Sequence, residues 1–108
     1  MRNSSERRAR NHYALRLYRI LGTNVWAGGY ELDLVVRRGR TLAFVEVKGK
    51  SGDGFGDPLA MVTPEKVRRI RQAAAAWLAQ HPEHRGCRVR FDVVAERAGR
   101  LERVAKAF

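Results

Sequence analysis

The spacing of apolar residues along this chain switches between a helical and a strand period. From residue 4 to 21, Ala9, Tyr13, Leu17, Ile20 and Leu21 recur at helical spacing, while Arg7, Arg8, Arg10, Arg16 and Arg19 fall on other faces. This predicts an amphipathic helix with Asn3 as N-cap (Ser4 or Ser5 as alternatives), Glu6 in the first turn and Gly22 at its end. Thr23 to Ala27 reads as a short strand and Gly28-Gly29 as a turn. Tyr30–Arg37 and Thr41–Lys48 read as two more strands joined around Arg38-Gly39. Leu42, Phe44, Val45 and Val47 make the later one a central strand, buried on both faces. Residues 49–58 are glycine-rich and predict a flexible loop anchored by Phe55. Thr63-Pro64-Glu65 is a helix start, with a Thr cap, Pro at the first position and an early acid. The helix runs to about Gln80 on a stripe of Val67, Ile70, Ala74, Trp77 and Leu78, and His81-Pro82 ends it. Arg88–Arg97 is a strand, and Leu101–Val104 a short edge strand. The order α-β-β-β-α-β-(β) is an α/β fold in one domain spanning residues 1–108. The long crossover makes the strands ending at Lys48 and beginning at Arg88 parallel members of a mixed sheet.

Four charged groups do not fit that pattern. Glu31, Asp33, Glu46 and Lys48 interrupt apolar strand runs, and burying charge is costly unless it is paired or bound to metal. Residues two apart on a strand share a face, so Glu31 goes with Asp33 and Glu46 with Lys48. A two-residue turn at Arg38-Gly39 sets Asp33 opposite Phe44 and Glu31 opposite Glu46, with all four groups on one face. Such a set suits a hard cation, Mg²⁺ or Mn²⁺, held by Glu31, Asp33 and Glu46. A cation there polarises a phosphate and acidifies a water, and Lys48 acts on that water or on the developing charge. The alternative is a salt-bridged sheet face in which Lys48 and nearby arginines neutralise the acids.

Charge changes the picture further. Lys and Arg total 22 against 11 Asp and Glu, a net charge of +11. That excess favours a polyanionic partner, nucleic acid first, with an anionic membrane or an acidic protein as alternatives. Lys50, Lys66, Arg68, Arg69 and Arg71 are candidates for gripping phosphates, and the helical ones are otherwise a solvated face. With 44% apolar residues the chain can build a core. A single cysteine, Cys87, excludes an internal disulfide. The absence of a signal-like or membrane-length apolar run predicts a cytoplasmic protein with no membrane partner. His81, His84, Cys87 and His12 make a poor zinc set, since Pro82 breaks the element. Asp92 is read as structural, paired with an arginine, and Trp26 and Trp77 as core.

An acid, then Asp, then Glu-x-Lys across a hairpin resembles the PD-(D/E)xK nuclease superfamily. Over nearly its full length the chain resembles the UPF0102 (YraN-like) family, related in fold to archaeal Holliday-junction resolvases. The resemblance rests on Tyr30-Glu31-Leu32-Asp33-Leu34, Phe44-Val45-Glu46-Val47-Lys48, Phe55-Gly56, Val62-Thr63-Pro64-Glu65-Lys66, Arg90-Phe91-Asp92-Val93 and the final Ala107-Phe108. It implies a restriction-endonuclease-like core, a mixed central sheet flanked by helices. It also implies a metal-dependent DNA endonuclease acting on branched or structured DNA, with catalytic Asp33, Glu46 and Lys48. Glu6 becomes a fourth metal ligand, and the resolvases' common dimeric state implies a homodimer. The chain departs from the family pattern at Ser5, Tyr30 and Gly49-Lys50, at the edge of the site rather than at its acids. Two other classes stay open: a nucleic-acid-binding protein that does not cut, and a basic protein-interaction module.

Overall fold

Helix α1 (Ser4–Leu15) buries Ala9 and Tyr13 as predicted, but it stops at Leu15 rather than Leu21. The computed structural model describes residues 4–51, 62–97 and 99–108, and only the backbone of Lys50, Ser51 and Arg97. The amide of Tyr18 bonds the carbonyl of Tyr13 and that of Leu17 the carbonyl of Ala14, both at 3.0 Å. Leu17 sits at φ 68°. This is the Schellman closure, built on a residue type that rarely adopts the conformation. Leu17 is therefore exposed rather than part of the helix stripe, and Ile20 and Leu21 belong to a strand.

The sheet has five strands in sequence order: β1 (Arg19–Ala27), β2 (Tyr30–Arg38), β3 (Thr41–Ser51), β4 (Arg88–Arg97) and β5 (Arg100–Val104). Neighbours are antiparallel except β3 and β4, which run parallel as the crossover demands. That crossover contains α2 (Pro64–Gln80), and a single 3₁₀ turn (Pro82–His84) follows. Thr63 caps α2 by accepting from the amide of Lys66 at 3.2 Å, with Pro64 in the first turn. Among the described residues the elements are thus two α-helices and a five-stranded mixed sheet. No described helix is long and apolar enough to cross a membrane. The predicted Gly-rich loop falls mostly on residues 52–61, which with Phe55 and the predicted cap Asn3 lie outside the described residues.

The sheet separates two apolar layers. On the α2 side Leu32, Val35, Leu42 and Phe44 pack against Ile70, Ala73, Ala74 and Trp77. On the α1 side Leu34, Val36, Ala43, Val45 and Val94 pack against Ala9, Tyr13 and Tyr18. β3 contributes to both, as a central strand must. The β1–β2 turn lies against α2. A side chain at Gly28 (φ 58°) would come within 3.0 Å of Ala76 Cβ and 3.1 Å of the Gln72 carbonyl, so glycine is required there. The β2–β3 turn is Gly39-Arg40, since Arg38 pairs with Thr41. The predicted turn at Arg38-Gly39 is therefore one residue early. Counting from the observed register puts Asp33, not Glu31, across from Glu46. The left-handed φ of 60° at Gly39 fits the first position of a tight hairpin turn.

Candidate metal centre

The strands are least regular around Asp33. The β2–β3 ladder runs from Arg38–Thr41 to Leu34–Val45, and beyond it Asp33 Oδ2 accepts the amide of Val47 at 2.9 Å. On the other side Asn24 of β1 takes φ 51°, a conformation asparagine tolerates better than most residues. Leu32 and Val35 pack in the α2 layer while Leu34 and Val36 pack in the α1 layer. Strict alternation is therefore broken at Asp33.

That break brings together acids from both sides of the sheet. Glu6, Glu31 and Asp33 each offer a carboxylate oxygen, and these oxygens lie within 4.8 Å of one another. Glu6 is buried in α1, and its Oε2 accepts from Asn24 Nδ2 at 3.1 Å. Glu46 and Lys48 continue the alternation of Leu42 and Phe44 towards α2. Lys48 Nζ lies 3.4 Å from Glu46 Oε2. The four groups expected on one face thus divide: Glu31 lies with Glu6, Glu46 lies with Lys48, and Asp33 joins the two sets. Burial first, then the hydrogen bond and charge of Glu46, push the Asp33 carboxyl up to about 8. The Val47 amide acts in the opposite sense, and the charge of Glu6 adds to the rise.

Lys66, read from sequence as one cation of a helix face, reaches this centre from the first turn of α2. Contact with Lys48 first, then partial burial and the charge of Lys48, hold its ammonium below its ordinary range, while Glu46 and Asp33 act the other way. Arg68 and Arg69 are exposed and engage Glu65, at 3.6 and 2.9 Å. Arg69 also lies 5.4 Å over the Tyr30 ring. Arg71 points elsewhere, over Phe91 and Phe108. The side chain of Lys50 lies outside the described residues.

Sequence reasoning missed three features here. Asn24 supports Glu6, and its only signal was an asparagine within a strand. Lys66 belongs with Lys48, a proximity that no spacing encodes. Trp26, read as core, is 71% exposed on β1, directly across from Glu31. Trp77 is core as expected, its ring 5.7 Å from Phe44 and 5.4 Å from His84.

Asp92 contrasts with this centre. It is fully buried and accepts Tyr13 Oη at 2.6 Å, Arg90 Nε at 2.8 Å, Arg90 Nη2 at 2.9 Å and the Lys106 amide at 3.2 Å. The expected arginine partner is Arg90. A second tie joins α1 to β4: Ser5 Oγ donates to Glu96 Oε1 at 2.7 Å, and Arg8 pairs with the other oxygen of Glu96.

The model of an uncharacterised protein family, UPF0102, matches residues 5–95, which include every acid of the centre. The chain belongs to the UPF0102 family. A UPF0102 protein of Mycolicibacterium vanbaalenii is 48% identical over 83 residues, covering 76% of this chain and 67% of its own length. One from Alkalilimnicola ehrlichii is 38% identical over 106 residues, 98% of this chain and 84% of that relative. A third, from Geobacter sulfurreducens, is 43% identical over 96 residues, 84% and 74% of the two chains.

Proposed function

We propose that this protein is a divalent-metal-dependent nuclease with a restriction-endonuclease-like core, cutting the phosphodiester backbone of branched or otherwise structured DNA. The observation that carries this reading is the convergence of Glu6, Glu31 and Asp33 within 4.8 Å, beside the Glu46–Lys48 pair. The donor set fits the group. Three carboxylate oxygens so close repel one another, and hard oxygen donors select Mg²⁺ or Mn²⁺. Burial first, then Glu46, and last the charge of Glu6 raise the Asp33 carboxyl in this setting. Glu6, Glu31 and Asp33 would hold the cation, with Glu46 adjoining through Asp33. When bound, such a cation supplies charge to the phosphate oxygens and lowers the pKa of a neighbouring water. Lys48, steadied by Glu46, orients the attacking water or meets negative charge growing on the phosphate. Lys66 adds a second cation for the strand's own phosphates. A net charge of +11 brings polyanions to this surface.

A second reading, a DNA-binding protein that does not cut, is favoured by the Asp33 carboxyl, which burial and then the neighbouring Glu46 push towards its protonated form. A carboxyl pair sharing a proton offsets its own repulsion without a metal. The experiment is incubation with linear, nicked, flapped and four-way DNA in Mg²⁺, Mn²⁺ or EDTA. Metal-dependent cleavage abolished by Glu46→Gln supports the nuclease. Binding across the panel without cleavage selects the second reading, and no salt-sensitive binding to any nucleic acid rejects both.

A further inference from the structure

A groove of about 380 Å³ opens at the start of β3 and β4, away from the acids. Thr41 and Arg88 are paired at that end, and Glu46 and Lys48 lie five and seven residues further along β3. At the rise of a strand the two places are roughly 17 to 23 Å apart. Arg88 and Arg90 line the groove from one face of β4 and Val89 and Phe91 from the other, with Lys106 and Phe108 contributed by the returning chain. β5 pairs with β4 only from Val93 to Arg97, which leaves the beginning of β4 to the returning chain. The Ala107 amide bonds the Phe91 carbonyl at 2.7 Å, and Lys106, held at φ 53°, donates its own amide to Asp92. These bonds fix a lysine in a rarely adopted conformation at the rim.

The chemistry of the lining is specific. Phe91 and Phe108 stack at 5.1 Å with planes 19° apart, and the Arg71 guanidinium lies 5.3 Å over Phe91 and 5.7 Å over Phe108. Val89 is exposed although apolar. Among the described residues none of the lining side chains is acidic, and nearby Asp92 is already engaged by Tyr13 and Arg90. Flat aromatic surface with cations around it suits a base and its phosphate, whereas a protein-docking core would be poor in charge. The volume is at the small end of ligand sites, the scale of one nucleotide. Arg71 and Lys66 are on the same helix, so cations lead from the carboxylates towards the groove.

We infer that this groove binds one nucleotide of a nucleic-acid strand whose backbone also passes the carboxylate centre. Phe91 is stacked between Phe44 and Phe108, so the base lies on the outer face of Phe108 beside Val89, and the phosphate lies between Arg88 and Lys106. This rests on the nucleic-acid part of the reading above, not on cleavage. The test is an amide NMR titration of the full chain in EDTA with a thymidine hexanucleotide, against sodium sulfate at matched ionic strength. The hexanucleotide should shift Val89, Phe91 and Ala107, and sulfate should not reproduce the pattern. Arg88→Glu with Lys106→Glu should weaken hexanucleotide binding at least fivefold and lower the salt slope by about 0.7, for one phosphate of a single strand no longer neutralised. Each variant's amide spectrum, compared with the parent's, shows whether it is folded; should the double variant not fold, Arg88→Glu alone, at an exposed strand start, carries the test. Shifts confined to Lys48 and Lys66, or identical shifts with sulfate, overturn the groove while leaving the centre's reading standing. Self-association through Val89 without oligonucleotide binding also overturns it. Groove binding in a protein that cleaves nothing supports the groove and removes only the nuclease.

Discussion

Asp33, half-buried, and Asp92, fully buried, are aspartates of one sheet, and they are provided for in opposite ways. Asp92 is met by four donor contacts, from Tyr13, Arg90 and the Lys106 backbone. Asp33 is met by one backbone amide and mainly by acids, with Glu46 beside it, Glu6 and Glu31 within ligand distance, and Lys66 as a neighbouring cation. A carboxylate supplied with donors is finished as structure, because its desolvation is compensated. A carboxylate crowded by its own kind is finished only by a proton or a cation. That difference separates the two roles more sharply than burial or residue type does.

Removing each carboxylate should therefore act in opposite directions. Asp92→Ala strands the Arg90 guanidinium and the Tyr13 hydroxyl, and urea denaturation should show a loss of about 3 to 5 kcal/mol, the cost of breaking a buried pair on one side. Asp33→Asn removes a repelling group and should leave the metal-free protein at least as stable at pH 8. Comparable losses in both variants would end the contrast.

The second effect is metal. Mn²⁺ or Mg²⁺ at a hundred times its dissociation constant should stabilise the protein by about 2.7 kcal/mol, read as a rise in Tm. Asp33→Asn should lose that rise, because it removes the donor common to both halves of the centre. A rise that survives Asp33→Asn would place the cation elsewhere.

Proton linkage gives the third effect. A carboxyl raised from 3.8 to about 8 holds its proton in the folded state after the unfolded chain has released it. The folded state then binds more protons between those values, so the contribution of Asp33 is fully present below pH 3.8 and is lost as pH rises towards 8. Metal-free stability should fall across that window, Asp33→Asn should flatten the fall, and Mn²⁺ should oppose it by favouring the ionised form. A stability profile of wild type in EDTA that rises with pH, relative to Asp33→Asn, would contradict this.

How much of this was legible in the sequence depended on whether the signal was local. Helix α2 was legible because Thr63, Pro64 and Glu65 are cap chemistry at adjacent positions, and β3 because Phe44 and Val45 must face two layers. The parallel pairing of β3 and β4 followed from the length of the crossover. The end of α1 was not legible, because Leu17 takes a conformation expected of Gly22. The face shared by the acids was misjudged because a count along ideal strands cannot see alternation break at Asp33. That break depends on packing by two helices: Glu6 enters from α1, and Lys66 arrives at the first turn of α2. Trp26 looks like core by hydropathy, yet it lies on an edge strand and no described element covers it. The α/β sheet follows from the strands themselves, whereas a restriction-endonuclease-like core is proposed from motif resemblance alone.

The smallest effect tests whether the two aspartates are independent. Tyr13 is fully buried, its ring edge-on to Tyr18 at 5.1 Å, and its hydroxyl bonds Asp92 Oδ2. Burial first, then the Asp92 bond, keep that hydroxyl protonated well above the ordinary tyrosine range. Tyr13→Phe keeps the ring and deletes one donor, while both Arg90 bonds remain. A hydrogen bond to a charged acceptor is worth about 1.5 kcal/mol or somewhat more, so urea denaturation should show a loss of that size, well below that of Asp92→Ala. The Mn²⁺-induced rise in Tm should stay as large as in wild type, since the bond touches neither Glu6 nor Asp33. If Tyr13→Phe instead diminished that rise, α1 would be transmitting strain from Asp92 to Glu6 through their common helix. The sheet would then hold one coupled acid network rather than a structural aspartate and a separate metal centre.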